Sequence, residues 1–256
     1  MKRLDLKNSL CLYIKPHQKI RNCQRSEFFT KIALGTFIIL FLQACTTPEL
    51  YHANLKYEPT GTFPEMEKAG SNSLITVAMF NDIRKIDDKQ QLGRVTTMGG
   101  TVVPIFPEYM KIPDAVTTSI REYLFKSGYR ISNDVPIWDL REETINKGIN
   151  KGWGKILVGG NIDELEIVCD DSFPVKTYRT KLKLTFVFAD VAQKRIFYRS
   201  SIENSASLEG ASFSEEILNK QISAVLSGAL EKMFNDQAIK KKIDDALKTK
   251  NKPNVR

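Results

Sequence analysis

Histidine is nearly missing from this chain of 256 residues: there are two, His17 and His52, and neither lies in a stretch with the periodicity of a helix or strand. A Ser-His-Asp triad or a histidine-based zinc site needs imidazole held by a rigid scaffold, so neither chemistry is expected. Cysteine is also scarce, at positions 11, 23, 45 and 169. A long hydrophobic run is absent as well. A membrane-spanning helix needs roughly 20 consecutive apolar residues, and the largely apolar stretch from Ile32 to Leu42 falls well short.

That short run reads instead as the core of a cleaved leader. Residues 1 to 44 carry eight Lys or Arg against Asp5 and Glu27, ahead of and around the apolar stretch, which then closes in Leu42-Gln43-Ala44-Cys45. Leu three residues before a cysteine, with Ala immediately before it, resembles the lipobox of a bacterial lipoprotein signal. Cys45 is therefore expected to carry lipid and to become the first residue of the mature chain. Thr46, rather than Asp, after the cysteine resembles the pattern that sorts such proteins to the outer membrane. Thirty-one residues ahead of the apolar run is long for a leader, so initiation nearer Lys31 is expected.

Charge and thiol content change once the leader is set aside. The leader holds +6 of the formal +8 and the segment after Ile239 carries a further +5, which leaves the body near −3. The overall basicity is thus no argument for a nucleic-acid partner. With Cys11 and Cys23 gone and Cys45 acylated, Cys169 is the one remaining thiol and no internal disulfide is expected. Asp170 and Asp171 beside it disfavour the thiolate, so an inert cysteine is expected rather than a nucleophile.

The expected organisation is a leader over 1–44, a lipidated tether over 45–72, a folded domain over 73–249 and a basic tail over 250–256. The fold class expected is α/β (α+β), a mixed, largely antiparallel sheet packed against two principal helices. Leu74 to Phe80 suits a buried strand, and Gly99-Gly100 suits the turn of a hairpin between Arg94–Met98 and Thr101–Phe106. Pro113 opens a helix with Val116, Ile120, Tyr123 and Leu124 on one face, stopped by Gly128. Tyr129 to Ser132 reads as a short strand and Pro136 to Lys147 as a weaker helix carrying Trp138, Leu140 and Ile145.

A three-stranded meander follows over Lys155–Val168, Val175–Ala189 and Arg195 to about Asn204. In its middle strand Tyr178, Thr180, Leu182, Leu184, Phe186 and Phe188 share one face, and Arg179, Lys181, Lys183 and Thr185 the other. A phase change in the first strand predicts a bulge near Asp163-Glu164. Ser212 with Glu215 forms a capping-box pattern ahead of a helix bearing Ile217, Leu218, Ile222, Val225, Leu226, Ala229, Leu230, Met233 and Phe234. Asn235-Asp236 breaks it before a second helix through Ile239, Ile243 and Leu247.

The lipobox, the segment Leu55-Lys56-Tyr57-Glu58-Pro59, a strand ending in Asp82-Ile83-Arg84, then Leu92-Gly93, a helix closing at Gly128 and the strand Ile156-Leu-Val-Gly-Gly-Asn-Ile162 occur in one order. This order resembles the YajG-type lipoproteins and their TolB-amino-terminal-like α/β relatives over residues 45 to 247. The resemblance implies a compact α/β domain facing the periplasm.

Few residues carry a chemical signal. Gly148 to Lys155 lacks the glycine, the Ser or Thr and the following helix that a phosphate loop needs. Asp163, Glu164 and Glu166 fall on opposite faces of a regular strand, so no metal site is expected there. Asp82 and Arg84, at i and i+2, are either a structural ion pair at a strand end or a guanidinium held ready for a carboxylate or phosphate. Trp138 and Trp153 are either exposed contacts or aromatics closing a core edge. No cofactor is implied. The function expected is a lipid-anchored binding or assembly module with an envelope protein partner; the alternative is a ligand-binding protein or hydrolytic enzyme of the cell envelope.

Overall fold

The computed structural model describes residues 50–60, 74–149 and 152–248. The lipobox, Cys45 and the basic tail lie outside the described residues. Along the chain run β1 (Tyr51–Ala53), β2 (Leu74–Val77), β3 (Asn81–Asp82), β4 (Gly93–Thr96), β5 (Val102–Pro107), α1 (Ile112–Lys126), β6 (Arg130–Ile131) and α2 (Glu142–Ile149). Then come β7 (Ile156–Asp170), β8 (Lys176–Asp190), β9 (Arg195–Gly210), α3 (Glu215–Asn235) and α4 (Gln237–Lys248).

Among the described residues nine strands join in one mixed sheet, as the sequence predicts, with β7 as its spine. One edge of β7 pairs antiparallel with β8 along nearly its whole length, and β8 pairs antiparallel with β9. The other edge takes three short parallel partners in turn: β2 at Ile156–Val158, β3 at Asn161–Ile162 and β4 at Ile167–Asp170. β5 lies antiparallel beside β4, β1 parallel beside β5, and β6 parallel beside β2. The expected bulge is present, where the β7–β8 register shifts between Ile162 and Glu164.

Alternation decides which face of the meander is covered. Tyr178, Leu182, Leu184, Phe186 and Phe188 are buried with Ile156, Ile162, Leu165 and Ile167 under α1 and α3, whose inward residues include Val116, Ile120, Leu124, Ile222, Leu226 and Leu230. At its first half β7 is buried on both faces. A smaller cluster of Trp138, Ile145, Leu157, Val187 and Ala189 covers the back, with Trp153 packed against it, so the tryptophans close a core edge. Gly160 is required there, because a Cβ would meet the Thr185 carbonyl at 2.0 Å and the Phe80 ring at 2.5 Å. Gly128 stops α1 with φ +88.

Three expectations need correction. Residues 51 to 57, read as tether, enter the fold: Ala53, Leu55 and Tyr57 point inward at strand period and are buried. Their backbone polar groups are satisfied by α3 side chains, with His52 N donating to Glu215 Oε1, Asn54 N to Asn219 Oδ1 and Glu58 N to Ser227 Oγ. The α3 cap is Ser214 rather than Ser212, its Oγ accepting from Ile217 N at 3.3 Å. Ser212 instead gives its carbonyl to Tyr178 Oη. Finally, α2 starts at Glu142, leaving Trp138 and Leu140 ahead of it, because Leu140 adopts φ 63, which no right-handed helix accommodates.

Candidate functional site

The ladder along the parallel edge of β7 has a gap. β3 leaves at Ile162 and β4 joins only at Ile167, so the bulged stretch between them has no strand beside it. A buried carbonyl in such a gap needs a donor. Arg84, 3 % exposed, supplies it, with Nη1 donating to the Leu165 carbonyl at 3.1 Å and to the Gln91 carbonyl at 3.0 Å. Nη2 donates to the Lys89 carbonyl at 2.7 Å and to Asp82 Oδ2 at 2.8 Å, and Nε to Asp82 Oδ1 at 2.9 Å.

The five N–H groups of a guanidinium thus all have acceptors within the chain. Asp82 also accepts the Arg84 backbone N–H at 3.2 Å, and Lys89 Nζ donates back to the Arg84 carbonyl. Burial raises the Asp82 carboxyl pKa, but hydrogen bonds from Arg84 and its charge outweigh that and hold it below the ordinary value. The sequence pair is therefore brought together as a bidentate knot that folds residues 83–91 back onto β7.

Over this knot lies a cleft of about 760 Å³, between the 83–91 loop and the wet face of β7 and β8. Its walls include Ile83, Lys85, Asp87, Asp88, Arg94, Asp163, Glu164, Glu166, Lys181 and Lys183. Contrary to the expectation from a regular strand, Asp163, Glu164 and Glu166 all line it. The bulge leaves Asp163 without a partner on β8 and resets the alternation at Glu164, so all three carboxylates come to one side. They are already differently engaged: Asp163 Oδ2 accepts from Thr185 Oγ1 at 2.7 Å, and Glu166 pairs with Arg94 at 2.5 Å. Among the described residues no group of three or more His, Cys, Asp or Glu stands ready to hold a metal.

Arg94, Lys181 and Lys183 are among the cleft residues that pattern reading does not single out as functional. Their signal was present in the cross-strand register, since Lys183 stands opposite Glu164 and Lys181 opposite Glu166. Lys181 and Lys183 form no ion pair with any described residue. Cys169 is buried in the main core, and burial, reinforced by Asp171 and Asp170, pushes its thiol up to about 11.

No family model and no curated protein matches the chain. Solved structures of similar trace include a DUF330 protein from Xanthomonas campestris, at 11% identity and TM-score 0.47 over 77% of this chain and 99% of that one. A putative neuraminyllactose-binding hemagglutinin homolog from Helicobacter pylori aligns at 11% identity and TM-score 0.42, over 75% of this chain and 99% of that one. Lipoprotein GNA1162 from Neisseria meningitidis aligns at 9% identity and TM-score 0.34, over 64% and 99%. At these identities no residue role passes from one chain to another.

Proposed function

We propose that this protein is an outer-membrane lipoprotein of the YajG type, anchored through lipid on Cys45, and that it acts in the periplasm as a binding or assembly module. The charged cleft is where it holds an envelope protein partner. The observation that carries this reading is the pair Lys181 and Lys183, which project from a rigid central strand into the cleft without ion pairs of their own. Carboxylates lie opposite them across the strand. The backbone of both lysines, held in the sheet, needs no ordering to bind, and a wall of both signs suits a polypeptide segment of complementary charge better than an apolar small molecule.

The hydrolytic alternative draws on the three acids, but Asp163 is spent on Thr185 and Glu166 on Arg94. The test is K181Q/K183Q in the full chain, recovered from membranes after crosslinking in intact cells. The variant is expected to melt like the parent and to lose its crosslinked partner at least about tenfold, the scale of one lost charge-assisted contact. Undiminished recovery would show that the cleft is not the docking site. Mass measurement of the mature amino terminus tests the anchor, with an acylated Cys45 expected.

A further inference from the structure

One pole of the domain gathers strand ends from around the sheet. The pairing directions place there the starts of β1, β5 and β8 and the ends of β4, β7 and β9. Six large apolar side chains stand exposed at this pole: Leu50, Met98, Val102, Phe173, Val175 and Leu208. Phe173, in the β7–β8 turn, is 80% exposed, and Met98, in the β4–β5 turn, is 67% exposed. The two turns are tied together by Asp171 N donating to the Thr96 carbonyl at 2.8 Å. On the far side, Phe213 packs against Tyr51 at 4.5 Å, which joins the exit of β9 to the start of β1.

The chain also enters at this pole, because Leu50 immediately precedes β1. Cys45 lies five residues earlier. Five residues, fully extended, reach at most about 17 Å. An acyl chain on Cys45 would therefore keep the start of β1 within that reach of the headgroups. Exposed apolar residues on loop tips are costly in water and are accommodated at a membrane interface.

We infer that this apolar pole is a bilayer-contacting surface: resting on the anchor proposed above, Phe173, Met98 and Val102 enter the interfacial layer of the membrane that carries the lipid. The contact is apolar rather than electrostatic, since the nearby Lys176 is already paired with Asp171 at 2.6 Å and Asp170 and Glu209 lie close in sequence to the exposed apolar residues. It fixes the orientation of the domain. Seven residues of β7 separate Asp170 from Asp163, which sets the charged cleft about 20 Å from the membrane surface, facing sideways into the periplasm.

The test uses the full lipidated chain in vesicles of phosphatidylethanolamine and phosphatidylglycerol with brominated acyl chains, which quench tryptophan on contact. Two single variants are compared, Phe173→Trp at the pole and Ile137→Trp at the opposite end, where Ile137 is 88% exposed beside Met79. The added tryptophan of Phe173→Trp is expected to be quenched by half or more, unchanged by 0.5 M salt, while that of Ile137→Trp is not. Equal quenching at the two sites, or none at Phe173→Trp in an acylated, vesicle-bound protein, overturns the contact and leaves the anchor standing. A concentration-dependent dimer that Phe173→Ser abolishes, with no quenching, also overturns it in favour of a second copy covering the pole. A mature chain whose mass shows no acyl group overturns the anchor and, with it, the contact.

Discussion

Asp82 and Arg84 share two parallel hydrogen bonds, Nε to Oδ1 at 2.9 Å and Nη2 to Oδ2 at 2.8 Å, over only two residues of chain. The exchange does more than pair charges. It aims Nη1 at the Leu165 carbonyl and so fills the one stretch of the β7 edge that β3 and β4 leave uncovered. Removing Arg84 strands a part-buried carboxylate and three carbonyls, which is far costlier than losing an exposed pair. Arg84→Ala is expected to destabilise by about 3–5 kcal/mol, and Arg84→Lys to recover little because an ammonium cannot span those acceptors. The double variant with Asp82→Ala should lose less than the sum of the singles in urea melts. Additive losses would show that the two residues act independently.

The same carboxylate sets an acid limit. Despite burial, its folded pKa is held below the ordinary aspartate value of 3.8 by the hydrogen bonds and charge of Arg84, so its contribution is fully present above that pH and lost as pH falls through the lowered folded value. Urea midpoints of the parent should therefore drop more steeply as pH falls below about 4 than those of Asp82→Asn, in which no such proton is taken up. Matching slopes for the two proteins would count against the knot as an acid-sensitive element.

Much of this architecture was legible because the deciding signal was local. The period-two run from Tyr178 to Phe188 names its own buried face, and the phase slip around Asp163 announces the bulge. Ala53, Leu55 and Tyr57 alternate just as clearly, but the Pro and Thr around them read as a tether, and the α3 side chains that satisfy their backbone lie about 165 residues away. The cap at Ser214 was missed because a Ser-x-x-Glu pattern begins two residues earlier. What Arg84 does was out of reach for a further reason: its acceptors at 89, 91 and 165 are backbone carbonyls, which leave no trace in side-chain identity.

Cys169 is expected to resist thiol reagents in the native protein. Its side chain lies in the core, and a pKa of about 11 leaves on the order of one thiolate per thousand molecules at pH 8. In the full chain with Cys45 acylated and the leader removed, a chromogenic disulfide reagent should register less than a tenth of a thiol per chain before urea is added and one after. Rapid native labelling would mean that the β7 end opens far more often than its packing suggests.

The far end of the segment after β1, at Tyr57 and Thr60, is held to α3 by the Glu231 carboxylate. Glu231 Oε1 accepts from Thr60 N at 2.8 Å and from Tyr57 Oη at 3.2 Å, and Oε2 accepts from Thr60 Oγ1. Burial first, then the charge of Glu231, pushes the Tyr57 phenol well above its usual range, so the phenol stays a donor at any physiological pH. Glu231→Ala removes three acceptor contacts at an edge of the fold while leaving the buried Ala53 and Leu55 in place. The expected cost is about 1–3 kcal/mol. The more telling measurement is amide exchange: the Thr60 amide should exchange faster in the variant, whereas the Glu58 amide keeps Ser227 Oγ as its acceptor and amides of β7 and β8 report only the change in global stability. Unaltered exchange at Thr60 would show that burial of Leu55 and Tyr57 holds the segment without Glu231.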